Sequence, residues 1–364
     1  MSFPPETARS WVDVDLGALA ANARTLATLT GSRLLPMVKA NGYGLGAVAV
    51  VGALEPLDPW GYGVASIGEG AALRRAGISR PILVATPLVP DLIEGCLADD
   101  LRPTIGDPEA LRAWCGRSDR PFHVEIDTGM GRAGFRWCDA GALAALRDLV
   151  RDAPGWEGVY THFHSADADP PSAAAQWARF QDVCASLPRR ASLTHAANSA
   201  GALCGRMYAG DLIRPGIFLY GGHAGPTAPT PVARLRARVV AVRRVAAGDS
   251  VSYGATWRAP RETTVATLAL GYGDGFLRAA REHATGRPAR VVELAGILAP
   301  VAGRVTMDMT MVDAGDADVT PGDVATVFGG RISLDEQAAA AGTIAYEMLT
   351  ALAPRVPRRY ESLE

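Results

Sequence analysis

Lys39 is the only lysine in a chain of 364 residues; the other 35 of its 36 lysine-plus-arginine residues are arginine. Arginine serves wherever a fixed cation is wanted. Lysine does what arginine cannot: its amine loses a proton at accessible pH and attacks a carbonyl. Such an amine can hold an aldehyde cofactor as a Schiff base. Lys39 follows the apolar run Leu34-Leu35-Pro36-Met37-Val38, which places it at the end of a buried strand. A leftover surface lysine is the bland alternative, and that position argues against it. Polar residues close other apolar runs in the same way. Thr128, His162 and Asn198 end three of them, with Arg132 in the turn after Thr128.

The elements that must position these groups recur along the first two thirds of the chain. Strand-like runs are expected at Leu34–Ala40, Tyr62–Ser66, Pro81–Ala85, Arg102–Ile105, Phe122–Thr128, Gly158–Phe163, Leu193–Asn198 and Ile213–Tyr220. Alanine- and leucine-rich helical segments intervene, among them Leu16–Leu29, Gly68–Ala76, Ala140–Val150 and Ala173–Leu187. Short apolar strands alternating with amphipathic helices imply parallel β/α units. Eight of them predict a (β/α)8 TIM-type barrel over residues 12–225, whose strand C-termini build the site. A doubly wound sheet is the rival, but it places its ligand at one switch point and does not need polar residues on many strand ends.

Gly221–Pro231 reads as a linker, rich in glycine and proline. Beyond it, residues 232–364 form a mostly β domain, with runs at Val232–Val245, Thr264–Leu270, Ala289–Leu298, Met309–Ala314 and Asp323–Val327. One late helix is expected over Ser333–Met348, opened by a capping box of Ser333 with Glu336. Residues 1–11 are a lead-in segment able to pack on the second domain.

Composition narrows the function class. The net charge is −2, which gives no sign of a nucleic-acid or membrane partner. No run is long and apolar enough to span a bilayer, and MSFPPETARS has no signal-peptide pattern. Five scattered cysteines read as reduced thiols of a cytoplasmic protein. His162 and His164 lack a third ligand at metal spacing, so no metal site is expected.

The string VKANGYGLG around Lys39 resembles the pyridoxal-phosphate lysine motif of the alanine racemase family. DTGMGR at 127–132, THF at 161–163, HAANS at 195–199, RPGI at 214–217, SYGAT at 252–256, GYGDG at 271–275 and GRVTMD at 303–308 resemble further family blocks in the same order. The resemblance implies a pyridoxal 5'-phosphate enzyme that interconverts L- and D-alanine with two bases and supplies D-alanine for cell-wall precursors. It implies Lys39 as cofactor anchor and one base, and Tyr253 as the base on the opposite face. A phenol is a weak acid, so its neighbours must tune it.

Arg214 is implied to face the pyridine nitrogen; arginine can only donate there, so the ring stays a weaker electron sink. Arg132 is implied to contact the ring oxygen and the substrate carboxylate through a planar donor fork. Tyr43, Ser199, Gly216 and Ile217 match phosphate-cup positions, and Ser199 also suits a helix cap. Asn198 has a supporting place. His162 is implied to link the tyrosine to Arg214. Met307, Asp308 and Tyr272 are implied on the substrate side, and the active site is implied to be shared in a homodimer.

Three positions depart from the family pattern. Glu125 stands where many members carry a lysine whose carbamate supplies negative charge, and it would supply that charge directly. Pro354 stands before Arg355-Val356-Pro357-Arg358 where many members have tyrosine, which takes away a phosphate contact there. Trp257 replaces a frequent tyrosine near the entrance. The rival readings are a racemase of broader or different amino-acid preference and a non-catalytic pyridoxal-phosphate-binding barrel. A barrel decarboxylase is a third, but such enzymes want an acidic partner for the ring nitrogen.

Overall fold

The structure is a computed structural model that describes residues 7–278 and 290–361. Eight parallel staves close into a barrel. Tyr62–Val64, Ile82–Pro87, Arg102–Ile105, Phe122–Asp127, Trp156–Tyr160 and Leu193–His195 pair in that order. Arg33–Leu34 pairs with Leu212–Ile213 on one side. On its other side the Met37–Gly63 bridge joins it to the Tyr62–Val64 strand. The Arg214 N–H to the Ala197 carbonyl closes the last gap. Staves buried on both faces explain the near-continuous apolar runs.

Helices surround the barrel, and their starts are written in the sequence. Asp15, Asp107, Asp139 and Asp169 each accept a first-turn N–H through the side chain, and Ser66 makes a full capping box with Glu69. Four expected helices form nearly as read, at Leu16–Thr30, Ile67–Arg75, Ala140–Arg151 and Pro170–Ser186. Helices at Ala47–Leu54, Ile93–Ala98 and Pro108–Cys115 were not expected; they are short.

The remainder is mostly β. Its long strand Ala233–Val245 pairs with Thr263–Leu268, Val324–Phe328 and Ser10–Asp15, and Ser10–Asp15 pairs in turn with Arg358–Glu361. Thus a strand from the start of the chain is stitched between two from its far end.

Four local readings are corrected. The Leu34–Ala40 run does not continue as a strand through Lys39. Ala40, Asn41, Gly42 and Tyr43 take φ of 53°, 55°, 63° and 52°, a left-handed turn that glycine alone adopts freely. Ile213–Tyr220 is a strand of two residues followed by a 3-10 turn at Ile217–Tyr220, because Pro215 has no N–H to extend the ladder. Ala289–Leu298 is a hairpin of Val291–Leu294 and Ile297–Pro300, with Ala289 outside the described residues. Ser333–Met348 splits into helices Leu334–Ala341 and Ala345–Thr350, because Gly342 caps the first in a left-handed conformation. The Ser333–Glu336 capping box is present.

Candidate active site

The C-terminal ends of the staves open into a cavity of about 400 Å³, within the size range of small-molecule sites. Lys39, Tyr43, Arg132, His162, Ser199 and Arg214 line it, and Asn198, Gly216 and Ile217 complete the set from the barrel. Nine of the residues marked out in the sequence are therefore brought together from five separate stretches of chain.

Lys39 enters at the start of the left-handed turn. Three non-glycine residues there have positive φ, at a cost of roughly 1–2 kcal/mol each. Surrounding groups hold the turn. The Ala40 N–H donates to Glu69 Oε1 at 2.7 Å, and Asn41 Oδ1 accepts from Ala47 N–H at 3.0 Å. Arg358 Nε donates to the Gly44 carbonyl at 2.8 Å, and the Tyr360 hydroxyl to that of Leu45 at 3.0 Å. Burial, with the positive charges of Arg132 and Arg214, lowers the Lys39 pKa against the opposing pull of Glu69. The amine is thus closer to its neutral, nucleophilic form than an exposed lysine would be.

At one end of the cavity hydroxyls gather. Ser199 Oγ accepts from the N–H groups of Gly216 at 2.9 Å and Phe218 at 3.3 Å. The Asn198 side chain caps the helix Ser199–Leu203 by accepting from Gly201 N–H. Tyr43 is buried and stacks on Tyr220 at 4.4 Å between ring centroids. A Cβ on Gly216 would overlap the Tyr43 hydroxyl, so glycine leaves a cradle beside it. Gly216→Ala is expected to weaken retention of a phosphate-bearing ligand about tenfold, the scale of modest overpacking. Equilibrium dialysis against pyridoxal phosphate measures it, and Tyr43→Phe in the same chain should recover part of the loss.

Arg214 also lines the cavity and is almost fully buried. Its Nη2 donates to the carbonyls of Thr161 at 2.7 Å and Ala196 at 3.1 Å, and lies 3.4 Å from His162 Nδ1. Its guanidinium lies 4.7 Å from the Tyr160 ring centroid. Burial brings its pKa down to about 10, still a cation at neutral pH. Burial, then Arg214, Arg132 and Lys39, hold His162 down to about 3, so it faces the cavity as a neutral ring.

Asp127 Oδ1 shapes the DTGMGR turn by accepting from Gly129 and Gly131 N–H at 2.9 and 3.0 Å. Arg132 emerges from that turn exposed, with Nη2 4.0 Å from Oε1 of buried Glu125. Burial raises the Glu125 pKa, while Arg132, Arg214 and a hydrogen bond from Tyr160 oppose the rise.

The second part of the chain divides its contribution. Helix Ala345–Thr350 reaches the barrel mouth, bringing Tyr346, Glu347 and Thr350 to the cavity. Sequence reading missed Tyr346, whose ring lies 6.1 Å from that of Tyr43. It looked instead to Pro354, which is not among the lining residues. No local pattern marks Tyr346; only the tertiary fold brings it to Tyr43. His195 and Tyr160 were also missed as site residues, though His195 opens the HAANS block.

Tyr253, Tyr272, Met307 and Asp308 are not part of this cavity. Tyr253 is 68% exposed and Met307 55% exposed. Backbone bonds from Tyr272 to Thr306 and from Gly273 to Met307 join the GYGDG and GRVTMD blocks. Buried Asp274 holds that junction, accepting from Arg9 at 2.7 Å and Arg355 at 2.8 Å. Trp257 pairs in a small ribbon with Val251, away from the cavity.

The cavity fits pyridoxal phosphate by its chemistry. It has one amine able to hold an aldehyde, a hydroxyl-lined cradle for a phosphate, and a buried cation. A closed parallel barrel with such a lysine at its mouth, followed by a β-rich unit, defines a class of lysine-bearing barrel enzymes. The comparisons specify the family. The model of the alanine racemase N-terminal domain matches residues 14–224, and that of the C-terminal domain matches residues 232–360. An alanine racemase of Deinococcus radiodurans is 40% identical, covering 96% of this chain and 99% of the relative. The solved biosynthetic alanine racemase of Pseudomonas aeruginosa is 33% identical, with a TM-score of 0.88 over 98% of this chain and all of its own. The alanine racemase of Bartonella henselae, solved with covalently bound pyridoxal phosphate, is 29% identical at a TM-score of 0.88, covering 97% of this chain and all of its own. This chain belongs to the alanine racemase family.

Proposed function

We propose that the protein interconverts L- and D-alanine with pyridoxal phosphate, using Lys39 and the Tyr253 of a second copy as its two bases. The observation that carries this reading is the single lysine, set in one cavity with the side chains of Tyr43 and Ser199 and the buried cation of Arg214. When bound, the cofactor supplies an electron-withdrawing ring that acidifies the α-proton. Lys39 Nζ holds or takes a proton on one face of the substrate. A phenol serves the opposite face, as inversion requires. Arg132 orients the carboxylate. Arg214 keeps a proton at the position where an acidic residue would share one with the ring.

The 68% exposure of Tyr253 and its absence from the cavity support a homodimer in which each β-rich unit completes the partner's barrel. Tyr272, Met307 and Asp308 then lie on the substrate side of that junction. We assign D-alanine supply for cell-wall precursors in the cytoplasm as the role. The free state of all five cysteines accords with that compartment. Chiral chromatography after incubation with L-alanine should show approach to an equal mixture with D-alanine. Inversion of another amino acid, with alanine left unchanged, would replace this reading with a racemase of different preference.

Glu125 supplies a fixed negative charge to Arg132. Glu125→Gln is expected to raise KM for alanine about tenfold, on the order of 1–3 kcal/mol for a charge-assisted bond. The burial-raised pKa adds a signature. Orientation needs the carboxylate, so it is lost as pH falls through that raised pKa. The acid limb of kcat/KM therefore lies above the ordinary glutamate range and disappears in Glu125→Gln. Bicarbonate should not alter wild-type activity; a bicarbonate requirement would assign the charge to another group.

A further inference from the structure

Arg214 is the upper end of a hydrogen-bonded chain that runs down the inside of the barrel. Its Nη1 lies 2.6 Å from His195 Nδ1. His195 Nε2 lies 2.8 Å from His123 Nδ1. His123 Nε2 lies 3.2 Å from Glu157 Oε2, which also accepts from Arg102 Nε at 2.9 Å. His195 and His123 have no exposed surface. Arg102 opens its stave, and Glu157 and His123 are each second in theirs. The chain therefore begins at the cavity and ends at the opposite, N-terminal rim.

Donor rules give the chain one direction. A guanidinium only donates, so His195 Nδ1 must be the acceptor. In the neutral ring the proton is then on Nε2, which donates to His123 Nδ1. His123 in turn carries its proton on Nε2 and donates to the carboxylate. Protonating either ring would set N–H against N–H inside the barrel. Burial keeps both imidazoles below the ordinary histidine range, which favours the neutral forms. Burial pushes the Glu157 carboxyl up, but the hydrogen bond from His123 and the charge of Arg102 outweigh it, and its pKa is lowered.

The surrounding packing is built for this line. A Cβ on Gly158 would overlap His123 Nδ1, so glycine makes the room for the His123–His195 bond. Tyr160 stacks on His195 at 4.7 Å with an interplanar angle of 15°, and the Arg214 guanidinium lies 4.7 Å from the same ring.

We propose that His195, His123 and Glu157 are positioning residues that lock the orientation of Arg214 and extend to it, through two neutral imidazoles, the acceptor strength of a carboxylate at the far rim. A chain of polarised bonds in a dry interior strengthens each member, so the guanidinium that closes the chain is held more firmly than by backbone carbonyls alone. The proposal rests on the reading that Arg214 works on the bound cofactor; the chain itself does not.

The test has two arms on the holoenzyme. Nitrogen-15 NMR of histidine-labelled protein, assigned with single histidine variants, reads the tautomers. Both buried rings should show a bare Nδ1 and a protonated Nε2 between about pH 6 and 9, across the range where ordinary histidines titrate. A proton on Nδ1 of either ring, or an imidazolium at neutral pH, would overturn the chain. The second arm compares Glu157→Leu with Glu157→Gln, each normalised to the folded, cofactor-bearing fraction. Glu157→Leu should lower kcat for alanine roughly tenfold with little change in KM, on the scale of losing the partner behind a functional side chain. Glu157→Gln retains an acceptor oxygen and should recover part of that loss. Equal kcat in wild type and Glu157→Leu would reduce the chain to packing. If the tautomers are as stated and the wild type does not racemise alanine, the functional reading falls and the chain stands.

Discussion

Replacing Lys39 with arginine should abolish both covalent retention of pyridoxal phosphate and racemisation. Arginine keeps the positive charge and much of the length, but it does not release a proton in the accessible range and does not attack a carbonyl. The expected loss is at least about 10⁴-fold in kcat, because the general-base role alone contributes up to about that factor and the anchoring role is lost with it. The sequence makes the assay unusually clean. Lys39 is the only lysine, so borohydride treatment of the wild type with cofactor should label one peptide, and the variant should show no labelled side-chain amine. Because burial, Arg132 and Arg214 lower the Lys39 pKa, the amine should also become reactive at a pH below that of an ordinary lysine. Reactivity that begins only near pH 10.4, about the value for an exposed lysine, would show that the pocket does not tune it. A normal yield of trapped cofactor in Lys39→Arg would end the assignment.

The barrel was legible because its evidence is local and repeated. Apolar runs, capping residues and polar strand ends each mark one β/α unit, and eight units determine a closed ring. The residues that meet the cavity directly were legible for a related reason: Lys39, Arg132, His162, Ser199 and Arg214 all follow such runs. What escaped depends on chain conformation or distant packing. The left-handed turn after Lys39 includes Ala40 and Tyr43, types that give no sign of positive φ, and it is held by Glu69, Arg358 and Tyr360 from elsewhere in the chain. Tyr346 reaches Tyr43 only because Gly342 ends one helix and lets the next turn toward the barrel mouth. The His195–His123–Glu157 line could not be read either. Its members come from three staves, and alternation along a strand says which residues point inward but not which inward groups meet across the barrel.

Two inactive variants should restore activity when mixed. Lys39→Ala removes one base and the anchor; Tyr253→Phe removes the other base and should cost about 10²- to 10⁴-fold, the range of a general acid or base. The geometry motivates pairing them. Lys39 lines the cavity, whereas Tyr253 projects from the β-rich unit with 68% of its surface exposed and takes no part in the cavity of its own chain. The same exposed region holds Met307 and Tyr272, fixed to each other by Asp274, Arg9 and Arg355. In a two-fold dimer each such region can cover the partner's barrel, giving two equivalent sites. A mixed dimer then has one site with native Lys39 and native Tyr253 and one site with neither. Random exchange of equal amounts makes about half of the dimers mixed, so activity should recover to about one quarter of the wild-type rate per chain. Mass spectrometry of differently tagged chains verifies the exchange, and the rate measured beside it decides the point. Full exchange without recovery would place both bases in a single chain, and Tyr253 would then have to travel to its own cavity.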